Sequence, residues 1–104
     1  MIQRVKVEDL PVFDAAEYLD SPEAIAAYLT EVLSEGDSAA LVQALGTVAR
    51  ARGMTDIAAA SGVTREALYR ALRPEAQPRF DTVARVLTAL GLRLSVAPAP
   101  EAST

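Results

Sequence analysis

Apolar residues recur at helical spacing through most of the chain. Ile25, Tyr28, Leu29, Val32 and Leu33 fall on one stripe, bounded by Ser21-Pro22 before and Gly36 after. Ser21 is placed to cap, Pro22 suits the first helical position and Glu23 sits where the helix dipole favours an anion. The spacing predicts a helix over Pro22–Glu35. Asp37 or Ser38 opens a second, with Leu41, Leu45, Val48, Ala49 and Arg52 on one stripe and Gly53 as its stop. A short helix follows from about Thr55 to Ser61, with Ile57 and Ala58 inward; Gly62-Val63-Thr64 is a tight turn; Thr64 then caps Arg65–Leu72. Residues 73–79 hold two prolines and read as a loop. A last helix runs from about Phe80 to Leu90, with Val83, Val86, Leu87 and Leu90 buried, and Phe80, Val83 and Leu87 are assigned to the core.

The ends are different. Val12–Leu19 has room for one or two helical turns, and Ile2, Val5 and Val7 lean towards a strand. Leu92-Arg93-Leu94-Ser95-Val96 alternates strictly and predicts a β-strand, which needs a partner: the Val5–Val7 segment or the same strand of a second subunit. Residues 97–104 have the composition of a disordered tail. The expected fold is all-α, about five helices with a short C-terminal strand. Residues 1–37 form an acidic N-terminal unit and 38–96 a second unit.

Composition narrows the chemistry. The 104 residues contain no Cys, so disulfides and thiolate sites are excluded, in keeping with a reducing cytoplasm. Absence of His removes the commonest general base and metal ligand, and no carboxylates stand at a chelating spacing, so no metal or other cofactor is expected. No apolar run approaches the ~20 residues that span a bilayer. Catalysis is therefore a poor expectation; its remaining form is a carboxylate-dependent hydrolase or nuclease using Asp14, Glu17 and Asp20.

Net charge of −4 conceals an asymmetry. Residues 1–37 carry nine acids and two bases, a net −7; residues 38–104 carry five acids and eight bases, a net +3. All eight bases are Arg, the side chain suited to bidentate phosphate or guanine contacts. The basic half also holds the most informative motif. Two short helices meeting steeply need a residue with positive φ at the junction, which Gly62 supplies, and a small residue at the close contact, where Ala58 stands. With Val63 and Leu68 inward, Arg65, Glu66, Tyr69, Arg70 and Arg73 face outward and Thr64 lies at the tip. A recognition helix enters the major groove in this way. Arg65 and Arg70 are suited to guanine or phosphate, and Thr64 with the helix N-terminus to a backbone phosphate. Arg79, closing the next loop, is grouped with them. An ordinary αα-corner is the plainer alternative.

Further stretches carry a resemblance. Phe13-Asp-Ala-Ala-Glu-Tyr-Leu, Ala26-Ala-Tyr-Leu, Ala44-Leu-Gly-Thr-Val-Ala-Arg-Ala-Arg-Gly-Met, Leu68-Tyr-Arg-Ala-Leu, Pro78-Arg-Phe-Asp-Thr-Val and Leu90-Gly-Leu-Arg-Leu-Ser-Val span about residues 12–96. Together they resemble addiction-module antidote proteins: antitoxins with a lambda-repressor-like (Xre-type) helix-turn-helix, encoded beside a RelE/ParE-type toxin. The resemblance implies two roles, neutralising the toxin and repressing the shared operon at its operator. It places Thr64, Arg65, Glu66, Tyr69 and Arg70 on the DNA-reading helix. One departure is Met54, where the wider lambda-repressor group often has a phosphate-contacting Gln. Asp14, Glu17, Asp20, Glu31 and Glu35 become a toxin-docking surface, since such toxins are generally basic; a merely solvated face is the alternative. A homodimer would set two reading helices about 34 Å apart. A stand-alone repressor without a toxin is the other reading of the same motif.

Overall fold

A computed structural model describes residues 10–100 and contains six α-helices. They are α1 (Val12–Tyr18), α2 (Pro22–Leu33), α3 (Ser38–Arg52), α4 (Met54–Ser61), α5 (Arg65–Leu72) and α6 (Phe80–Ala89). The expected strand at Ile2, Val5 and Val7 lies outside the described residues, as does the end of the expected tail, 101–104; residues 97–100 are exposed and without regular structure. Among the described residues no helix is long and apolar enough to cross a membrane.

Local chemistry accounts for the helix starts. Ser21 accepts a hydrogen bond from the Ala24 N–H at 3.1 Å, Asp37 from the Ala39 N–H at 3.0 Å and Thr64 from the Ala67 N–H at 3.0 Å. Each satisfies one of the donors that a helix leaves orphaned in its first turn. The expected bounds shift slightly. α2 stops at Leu33, where the Ser34 hydroxyl donates to the Glu31 carbonyl and the Gly36 N–H to that of Leu33. α4 begins at Met54, because Gly53 ends α3 and starts α4 as one residue, its carbonyl already accepting from Ile57.

α3 is the central element, packed against α1, α2, α4 and α5; α6 closes the other side of α4. One apolar cluster contains Ala15 and Leu19, Ile25, Leu29 and Val32, then Leu45, Val48, Ala49, Ile57, Leu68, Leu72 and Val86. The acidic N-terminal helices thus share a core with the basic half. At Gly46, buried within α3, an added Cβ would lie 3.1 Å from the Leu72 carbonyl oxygen and 3.2 Å from Arg50 Nη1. A side chain there would require the Leu72 carbonyl and the Arg50 side chain to give by a few tenths of an ångström, so the missing Cβ lets the end of α5 sit close on α3.

Three expectations are corrected. The segment Leu92–Val96 is not a strand. The Leu92 N–H donates to the Leu87 carbonyl (2.9 Å) and the Gly91 N–H to that of Thr88 (2.9 Å), so the first residue of the segment closes α6 while residues 93–96 have no regular structure. No other described segment offers it an edge. Phe80, assigned to the core, is 72% exposed, because it occupies the first position of α6, ahead of the turns that carry Val86 and Leu87 into the cluster. Arg52, assigned to the inner stripe of α3, is exposed; it lies in the last turn and reaches the Leu19 carbonyl at 3.5 Å.

Gly46→Ala tests the seating of α5. In an unconstrained helix this change stabilises by roughly 0.5–1 kcal/mol. Against the fixed Leu72 carbonyl it is expected to destabilise by about 1–2 kcal/mol in chemical denaturation. A stabilised variant would show that α5 moves outward freely. A second contrast is Ser61, whose hydroxyl is buried without a hydrogen-bond partner among the described residues. Ser61→Ala is expected to be neutral or stabilising, by up to about 1 kcal/mol.

Candidate nucleic-acid interface

The site is built on the junction of α4 and α5. α4 ends in Gly62, whose φ of +76° is the left-handed conformation that glycine adopts without strain. The Gly62 N–H donates to the Ala59 carbonyl (3.2 Å) and the Val63 N–H to that of Ala58 (3.1 Å), so the last turn of α4 is closed by the turn itself. Ala58 is buried at this contact, as its spacing from Gly62 led us to expect. Thr64 is then extended and caps α5.

Of the eight residues of α5, Leu68 and Leu72 are buried. They are one turn apart and anchor the inner face. Thr64, Arg65, Glu66, Tyr69 and Arg70 are all exposed, in agreement with the outward face read from the sequence. Arg73 and Arg79 are also exposed but lie beyond α5, as the residue ending it and the residue preceding α6, at opposite ends of the intervening loop.

Arg65 and Tyr69 act as a unit. The Arg65 guanidinium donates to the Tyr69 hydroxyl at 3.2 Å and lies over the ring at 4.9 Å from its centroid. The tyrosine restrains the arginine through a cation–π contact and leaves most of the guanidinium donors free. Beside this pair is a surface hollow of about 340 Å³ lined by Arg50, Gly53, Met54, Thr55, Asp56, Arg65 and Tyr69. The N-terminus of α4, which has no side-chain cap, opens into it. Arg65 and Arg50 thus stand at the positive end of α4, with Asp56 as the opposing charge.

Two arginines here are not among the site residues named from the sequence, although the stretch 50–79, read as DNA-facing, begins at Arg50. Arg50 belongs to α3, and only the fold carries it to the hollow. Arg85 belongs to α6, where it pairs with Asp81 at 3.4 Å, and a Cβ on Gly62 would lie 3.9 Å from its Nη1. Their distance in sequence from Gly62 left no local signal.

The acidic residues are more dispersed. Asp14 and Glu17 are on α1, Asp20 in the link to α2, Glu31 in α2 and Glu35 in the turn after it. Asp14 is half-buried and the other four are exposed. Among the described residues no three acidic side chains converge to hold a metal ion, so Asp14, Glu17 and Asp20 do not form the cluster that metal-assisted hydrolysis would use.

Residues 9–98, which take in all six helices, match the family described as probable addiction module antidote protein. The chain belongs to this family. A relative from Haemophilus influenzae, described as an uncharacterized protein, is 46% identical over 89 residues, covering 86% of this chain and 92% of that one. No solved structure matches. An antidote answers a toxin, so membership of the family implies a toxin among the partners of this antidote protein.

Thr64 carries the start of α5 in its hydroxyl. Thr64→Ala is expected to cost about 1 kcal/mol and Thr64→Ser to restore most of it, read from urea unfolding. Equal stability of all three proteins would show that the cap contributes nothing.

Proposed function

We propose that this antidote is a non-enzymatic, cytoplasmic antitoxin that also represses its own operon, with α4 and α5 forming a lambda-repressor-like helix-turn-helix and α5 reading operator DNA. The observation that carries the reading is the division of α5. Leu68 and Leu72 hold it in the core while Arg65, beside the capped N-terminus, and Tyr69 and Arg70, further along the helix, stand exposed. A helix held by one face and cationic on the other fits the major groove. Glu66 suits a cytosine amino group, and Arg50 and Arg85 suit the flanking phosphates. Two such helices in a homodimer would address a two-fold operator. Membership of an antidote family favours this over a repressor with no toxin.

The toxin in this reading is a basic RelE/ParE-like protein attracted to Asp14, Glu17, Asp20, Glu31 and Glu35. Because α1 and α2 supply Ala15, Leu19, Ile25, Leu29 and Val32 to the core, removing them would unfold the domain. Charge reversal is the cleaner probe. Glu17→Lys, Asp20→Lys and Glu35→Lys together are expected to slow association with the toxin encoded beside it by about tenfold at low salt, leaving the fold intact. Unchanged association in stopped flow would contradict the docking surface.

Binding to a duplex from its own promoter tests the DNA reading. Affinity is expected to fall as salt rises, since bound arginines displace counterions from the phosphates. Arg65→Ala/Arg70→Ala is expected to weaken binding by about 30-fold or more. Tyr69→Phe, which frees Arg65 of one hydrogen bond, should cost only about two- to fivefold. Salt-insensitive binding, or full affinity in the double variant, would contradict the assignment of α5.

A further inference from the structure

A second surface is of opposite character to the DNA-facing one. α2, α3, α6, the loop 73–79 and the segment after α6 enclose an apolar groove of about 700 Å³. Its walls include Leu29, Leu33, Leu41, Leu45, Val83 and Leu87. Three large apolar side chains along it are left in solvent: Phe80 is 72% exposed, Leu33 52% and Leu94 51%. Among the described residues, the only charged ones lining the groove are Glu75 and Arg93. None of Arg65, Tyr69 or Arg70 lines it.

We propose that this groove is the face through which two copies of the chain associate about a two-fold axis, Phe80 of each entering the groove of the other. Charge selects a second copy as the occupant. A nucleic acid finds a single arginine there, cancelled by a glutamate, and a basic toxin a single glutamate, cancelled by an arginine. A second copy finds what a two-fold axis demands: a surface that carries both members of each complementary pair. Phe80 is the projection and the groove its recess. Glu75 on the loop meets Arg93 of the partner subunit, and the reverse contact follows by symmetry. Association would cover the exposed apolar side chains and leave the outward face of α5 open to DNA. The inference rests on the dimeric reading above and names its surface.

Sedimentation of the full chain from about 1 to 200 µM, beside single-residue variants, tests it. The wild type is expected to dimerise. Phe80→Glu, at an exposed position, should raise the dimer dissociation constant by about 30-fold or more, with the thermal midpoint of the monomer unchanged. Glu75→Arg and Arg93→Glu should each weaken association, and the doubly exchanged chain should recover it, because the exchange restores both pairs. A wild type that stays monomeric throughout would overturn the inference together with the dimeric reading. A dimer indifferent to Phe80→Glu would overturn the surface and leave the dimer standing. Additive weakening in the double exchange would overturn the pairing of Glu75 with Arg93, and with it the two-fold arrangement.

Discussion

At Gly46 the backbones of α3 and α5 come so close that one methyl group would lie 3.1 Å from the Leu72 carbonyl oxygen. The rest of the candidate interface depends on that approach. Leu68 and Leu72 are buried because α5 is seated on α3 at this depth, and the face opposite them is then the one that reaches solvent. The same seating brings Arg50, one turn along α3 from Gly46, to the hollow where Arg65 and Tyr69 stand. A reading helix must hold its side chains within about half an ångström of the geometry in which they contact the bases. Eight residues cannot do this alone, since isolated helices shorter than about 12 residues are marginal in water. The rigidity of α5 is borrowed from α3.

The two charged halves of the chain are not independent bodies joined by a linker. α1 and α2 place Ala15, Leu19, Ile25, Leu29 and Val32 in the same cluster as Leu68 and Val86. An acidic helix pair and a cationic helix are thereby packed against the same central helix, α3. In the proposed function, toxin and operator are engaged by opposite charges held on one small core. The groove with Phe80 at its rim is close to neutral and supplies a third kind of surface.

Much of this was legible because the signals were local. Ser21-Pro22, Asp37 and Thr64 announced the starts of α2, α3 and α5 through the chemistry of the cap, and all three accept the bond expected of them. Gly62 and Ala58 gave the turn from their spacing. The failures share a cause in the third dimension. Leu92–Val96 alternates as a strand does, but a ladder needs a neighbour that the segment itself does not specify, and Leu92 at its start caps α6 instead. Phe80 follows the apolar pattern of α6, yet its position at the first turn lies beyond what the core covers. Arg50 and Arg85 reach the α4–α5 junction from helices that only the fold brings there. Sequence periodicity says which side of a helix turns inward, and it says little about where inward ends.

The central claim is that α5, held on α3, is the element that meets DNA. Backbone amide NMR of the full chain titrated with a duplex from its own promoter tests it most directly. The result expected is that shift changes concentrate at Gly62–Arg70 and the N-terminus of α4, with Arg65 and Arg70 side-chain signals moving in step and α1 and α2 undisturbed. Changes centred on α1, α2 or the Phe80 groove, with α5 unmoved, would contradict it.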